Sequence, residues 1–193
     1  MVSAKNKVNK EKHISFILDE TGSMMSIKDK TIKDFNEYLQ SIKTFKGIFT
    51  LTKFNSNKIE VVYTKAIKDV PELTTETYKP DATTPLYDAI GKTIKELEKD
   101  EGKQELLVVV LTDGEENASK EYDKKAITAL MKEKEGKGWT FIYLGVGEAA
   151  WVEGHKMGMV NYASAQSFGR AMNIGSGAGA VRPCGARLDR GMQ

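Results

Sequence analysis

Apolar positions recur along this chain with two alternating periods. Short, almost continuously apolar runs alternate with longer segments in which apolar residues return every three or four positions. That alternation is the pattern of strands buried on both faces and covered by helices. The first run, His13 to Asp19, predicts a strand. It is followed by Ile27 to Lys43, where Ile27, Ile32, Phe35, Leu39 and Ile42 line up as one helical stripe. Gly47 to Phe54 and Lys58 to Tyr63, joined by the turn-forming Asn55 to Asn57, predict two antiparallel strands. Asp69 to Thr83 is an irregular crossing, after which Pro85 to Lys99 predicts a helix with Leu86, Ile90, Ile94 and Leu97 inward. Glu105 to Thr112 is the most apolar strand, then come a helix over about Glu121 to Lys134 and a strand from Thr140 to Val146. A helix over about Ala149 to Met157 and a short strand at Met159 to Tyr162 complete the series. This order predicts an α/β fold, a doubly wound, mostly parallel sheet of about six strands with helices on both faces and one antiparallel edge strand.

Composition narrows the classes without naming one. The 193 residues are 40% hydrophobic and 29% charged, ordinary values for one globular domain. The longest aliphatic run, Leu106 to Leu111, falls far short of the roughly 20 residues that cross a bilayer, and Ile14 to Leu18 is too short for a signal-peptide core. The single cysteine, Cys184, cannot close an internal disulfide or build a cysteine metal site, so a reducing, cytoplasmic compartment is expected. The net charge of +2 hides an uneven distribution, since residues 1–12 and 170–193 each carry +3 and leave −4 in the body. The expected organisation is a basic tail over 1–12, one domain over 13–168, and a Gly- and Arg-containing tail over 169–193. An acidic body argues against a nucleic-acid surface on the fold, whereas the basic ends suit either a nucleic acid or an acidic partner.

Three segments carry oxygen ligands and fall at one edge of the expected sheet: LDETGSM, ATTPLYDAI and LTDGEEN. In an open α/β sheet, the loops at the carboxyl ends of the strands converge on one crevice. Asp19, Thr21 and Ser23 after the first strand can therefore meet Asp113 after the central strand, with Thr84 completing the set. Two carboxylates and three hydroxyls make a hard, all-oxygen site suited to magnesium, manganese or calcium rather than zinc. Each part has a plainer reading: Asp113-Gly114 is a turn dipeptide, while Thr84 ahead of Pro85, and Ser23 ahead of its helix, could be helix caps. His13 and His155 lie away from this cluster and are expected to be structural.

The same three segments resemble the loops of a von Willebrand factor type A domain, whose metal-ion-dependent adhesion site combines Asp-x-Ser-x-Ser, a Thr, and an Asp followed by Gly. Thr21 replaces the first Ser and keeps the hydroxyl; Asp19, Ser23, Thr84 and Asp113 match directly. The resemblance covers about residues 13–168, and GWTFIYLGVG followed by Trp151 looks most like small bacterial and phage members. It implies a Rossmann-like fold and a non-enzymatic, cation-dependent protein-binding module in a bacterial or phage assembly. It also implies magnesium, or manganese or calcium in its place, and a protein partner whose carboxylate completes the coordination. Glu20, Glu115 and Glu116 are expected to form an acidic rim around the metal.

Two enzymatic alternatives compete. A magnesium phosphatase of the haloacid dehalogenase type also begins with an Asp at the end of its first strand, but needs Asp-x-Asp, and Thr21 stands where the proton-transferring Asp would be. Gly145-Val146-Gly147-Glu148-Ala149-Ala150 formally matches a dinucleotide fingerprint, yet follows a late strand and lacks an acidic ribose ligand further on.

Overall fold

The structure, a computed structural model, describes residues 11–145. Its centre is β1 (Lys12–Asp19), seven of whose eight residues are buried, because strands and helices enclose it on every side. Among the described residues the sheet has five strands in the order β3-β2-β1-β4-β5. β2 (Gly47–Asn55) and β4 (Glu105–Thr112) flank β1 in parallel, and β5 (Thr140–Gly145) runs parallel to β4. β3 (Lys58–Ala66) is antiparallel to β2, with a register shift at Leu51/Thr52. This is the mostly parallel α/β sheet with one antiparallel edge that the apolar pattern predicts. The helix expected over Ala149 to Met157 and the strand expected over Met159 to Tyr162 lie outside the described residues, as do residues 1–10 of the first expected tail and all of the second.

Alternation along β1 divides the core. Ile14, Phe16 and Leu18 face α1 (Lys28–Ile42), packing with Phe35, Tyr38, Leu39 and Phe49. The Phe16 ring meets Phe35 edge-on at 5.0 Å and stacks on Phe49 at 5.8 Å. Ile17, on the opposite side, joins Val108, Val110, Phe141 and Tyr143 under α2 (Leu86–Leu97) and α3 (Lys124–Gly136). The helical stripes are close to those expected, except that Thr31 and Tyr38 also fall on the buried face of α1 while Ile27 and Ile32 are only half-buried. The segment from Asp69 to Thr83, expected as an irregular crossing, is irregular but not loose: Val70, Leu73 and Tyr78, with Ile67 just ahead of them, sink into the α1-side core.

Helix α2 lies close to the segment leading into α3. A Cβ on Gly91 would stand 2.4 Å from the Tyr122 ring, so the absence of a side chain allows the approach. Buried Lys134 on α3 pairs with Glu98 at 2.7 Å and Glu101 at 3.2 Å beyond the end of α2, and lies over the Trp139 ring. Among the described residues no helix is long and apolar enough to cross a membrane.

Candidate metal centre

β1 connects outward to β2 on one side, while β4 lies on its other side, so the chain changes direction across the sheet at the carboxyl end of β1. That end is where open α/β sheets form their crevice. Asp19 occupies it with 0% of its surface exposed. One carboxylate oxygen, Oδ1, accepts the Thr21 backbone N–H at 2.9 Å, and the other, Oδ2, accepts the Thr112 hydroxyl at 2.6 Å. The Asp19 carbonyl accepts the Tyr78 hydroxyl at 2.6 Å. Burial pushes the Asp19 carboxyl up to about 6, against the hydrogen bonds from Thr112 and Thr21, and the neighbouring charge of Asp113 raises it further. The groups that donate to this carboxylate are all neutral.

After Asp19 the chain enters a 3₁₀ turn, Gly22–Ile27, preceded by Thr21 in extended conformation. Neither Thr21 at that turn nor Ile27 ahead of α1 makes a side-chain cap bond, so the first-loop hydroxyls are not spent on helix ends. Instead the Thr21 and Ser23 hydroxyls stand 3.3 Å apart. The second loop reaches the first through the Gly22 N–H, which donates to the Ala82 carbonyl at 2.8 Å; Ala82 holds a positive φ of 66°. Thr84 is buried, and the plainer cap reading does not apply to it, because Pro85 stands at the N-cap of α2 and makes no side-chain cap bond.

The third loop holds the second. Asn117 accepts the Thr84 N–H at 2.9 Å, and the Asn117 and Ala118 N–H groups both donate to the Thr84 carbonyl. Asp113, half-buried, accepts the Glu115 N–H at 3.3 Å, and Gly114 takes a φ of 91° that a side chain would strain. Asp19, Thr21 and Ser23 thus share one loop beside Asp113, and Thr84 is tied to the Asp113 loop. Two supporting residues went unnoticed in the sequence, Thr112 and Asn117. Their positions beside Asp113 and Glu116 were the available signal, and the contacts that make them matter are long-range.

The acidic rim needs correction. Glu20 turns inward: its carboxylate pairs with Lys53 at 2.8 Å, the two side chains only 7% and 8% exposed, and accepts the Lys79 N–H at 2.9 Å. Lys53 also donates to the Thr77 carbonyl. Glu116 spends its carboxylate on the Tyr87, Ala118 and Ser119 N–H groups and on the Ser119 hydroxyl, serving as the anionic cap that α2 lacks locally. Asp88 anchors the same loop by accepting the Lys120, Glu121 and Tyr122 N–H groups. Of the three, Glu115 stays exposed. His13 sits at the other end of β1, its Nε2 2.9 Å from the Thr50 hydroxyl; His155 and the glycines from Gly147 onward lie outside the described residues.

The donor set fits a hard divalent cation, since it offers only carboxylate and hydroxyl oxygens. Among the described residues no group of three or more His, Cys, Asp or Glu side chains could hold a metal, so a centre here relies on its hydroxyls.

The arrangement has the von Willebrand factor type A fold. The chain is similar to the von Willebrand factor domain of the type V pili tip protein Mfa5 from Porphyromonas gingivalis, with a TM-score of 0.64 and 10% identity over 91% of this chain and 99% of that one. It is similar to a von Willebrand factor type A protein from Catenulispora acidiphila, with a TM-score of 0.57 and 12% identity over 84% of this chain and 42% of that one. It is also similar to the manganese-loaded TRAP protein of Plasmodium vivax, with a TM-score of 0.54 and 16% identity over 85% of this chain and 72% of that one. The chain therefore spans less than half the length of the Catenulispora protein. No family profile and no curated protein sequence matches it.

Proposed function

We propose that this domain binds a divalent cation, magnesium in the first instance, through Asp19, Thr21, Ser23, Thr84 and Asp113, and uses it as part of a protein-recognition surface. The observation that carries the reading is the Asp19 carboxylate: fully buried, bonded only to neutral donors, beside a second carboxylate and a pair of hydroxyls at one strand end. A cation there offsets the burial of charge. With neutral hydroxyls among the ligands, the ion keeps most of its charge and attracts an anionic oxygen such as a partner's carboxylate. Exposed Glu115 and Met25 border this edge. The manganese carried by the Plasmodium protein and the pilus tip role of the Porphyromonas protein support the same reading. Membership of a bacterial or phage assembly, in the cytoplasm or on a virion, is the setting we propose.

The ligand assignment is tested by titrating manganese and magnesium calorimetrically into the wild type and Asp19→Ala. Heat of binding in the wild type and none in the variant is expected; flat traces for both would remove the cation. The recognition role is tested by affinity capture from a host lysate with and without chelator. A partner retained only with metal, and lost with Ser23→Ala, is expected. Metal-dependent hydrolysis of a generic phosphate ester that disappears in Asp19→Ala would instead establish the phosphatase alternative.

A further inference from the structure

We propose that Thr112 is the positioning residue of this centre, its buried hydroxyl fixing the Asp19 carboxylate to the third loop and thereby setting the affinity for the cation; this rests on the cation-binding reading above. Thr112 is the last residue of β4, 0% exposed and one position ahead of Asp113. Its hydroxyl makes two bonds, to Asp19 Oδ2 at 2.6 Å and to the Gly114 N–H at 3.0 Å. A backbone N–H can only donate, so the hydroxyl oxygen accepts from Gly114 and its single proton is committed to Asp19. The direction of the chain of bonds is thus set: third-loop backbone to Thr112 to first-loop carboxylate. With Thr21 N–H on Oδ1 and Thr112 on Oδ2, both carboxylate oxygens are held in place by neutral donors from the first and third loops.

The arrangement separates two functions that usually coincide. The Asp19 backbone is held independently, by the Tyr78 hydroxyl on its carbonyl and by β1 pairing with β2 and β4. Thr84 is held independently by Asn117. Removing the Thr112 hydroxyl therefore frees the carboxylate to rotate and leaves the Gly114 N–H without its acceptor, next to Asp113, while the strands stay paired. Valine has the shape of threonine without the hydroxyl, and serine keeps the hydroxyl without the methyl.

The test uses the full chain as wild type, Thr112→Val and Thr112→Ser. Manganese affinity is read by electron paramagnetic resonance, and amide hydrogen exchange by NMR in chelator. Thr112→Val is expected to weaken manganese binding by about 10- to 100-fold, the usual loss when a group orienting a metal ligand is removed, and Thr112→Ser to restore it. In metal-free protein, Thr112→Val is expected to speed exchange at Gly114 and Thr21, but not at Tyr87 or Lys120, whose N–H groups are held by Glu116 and Asp88. Wild-type affinity in Thr112→Val, equal losses in the valine and serine variants, or unchanged exchange at both amides would each overturn the proposal. A wild type that takes no manganese would overturn the cation reading and the affinity half of this proposal together. The exchange data would then decide separately whether Thr112 ties the two loops.

Discussion

Replacing Asp19 by asparagine isolates the cost of burying its charge. In the metal-free protein the carboxyl is raised from 3.8 to about 6, chiefly by burial. Between those values the folded protein holds a proton that the unfolded chain has released, so stability falls as pH rises through this window and levels off above it. At about 1.4 kcal/mol per pH unit, the destabilisation at neutral pH is roughly 3 kcal/mol. The amide introduced by Asp19→Asn would carry no charge, keep the carbonyl acceptor for the Thr21 N–H, and exchange the charge-assisted bond from Thr112 for a neutral one, at a loss of about 1 kcal/mol. In chelator at pH 7.5 the variant should therefore be more stable than wild type by about 2 kcal/mol, or about 4–8 °C in Tm for a domain of this size. Below pH 4 the advantage should vanish or reverse. Excess magnesium or manganese should raise the wild-type Tm and leave the variant unchanged, since only a ligand of the folded state stabilises it. Differential scanning calorimetry at several pH values, with and without metal, reads all of this. An Asp19→Asn variant equally destabilised at pH 4 and pH 7.5, or stabilised by metal as much as wild type, would refute the reasoning.

Three further substitutions probe the scaffold. Lys53→Met strands the Glu20 carboxylate in its buried position and should cost about 3–5 kcal/mol by urea denaturation, with Glu20→Leu in the same chain recovering part of the loss; a neutral single variant would show that the pair does not hold the first loop. Gly91→Ala forces a methyl against the Tyr122 ring and should cost about 1–3 kcal/mol, since the clash involves the body of the ring and not a flexible tip. Ala82→Gly relieves a left-handed residue between the first two loops and should stabilise the metal-free protein by about 0.5–1 kcal/mol, measurable as a rise in urea midpoint at constant slope.

Much of this fold is legible in the chain itself. Glu105–Thr112 reads as a strand with the bounds it has in the structure, because a strand buried on both faces must be apolar at nearly every position. The inward stripe of α2, Leu86, Ile90, Ile94 and Leu97, is equally plain, since one helical face meets the sheet along its whole length. The proximity of the three loops is legible too, because Asp19, Thr84 and Asp113 each lie at the junction of a strand or helix with its loop, and the parallel sheet brings those junctions to one edge.

What only the tertiary structure decided is the partner of each polar group. In sequence, Glu20 and Glu116 are acids flanking ligand loops and read as a rim; in space, Lys53 on β2 draws the first inward and the bare N-terminus of α2 engages the second. Thr112 reads as the end of a strand until β1 pairs with β4, which sets its hydroxyl against Asp19, 93 positions away. Burial leaves its mark on every element locally, as a period of apolar residues. A hydrogen bond or ion pair leaves none, because either end can be any of several polar residues and its mate is chosen by which strands lie side by side.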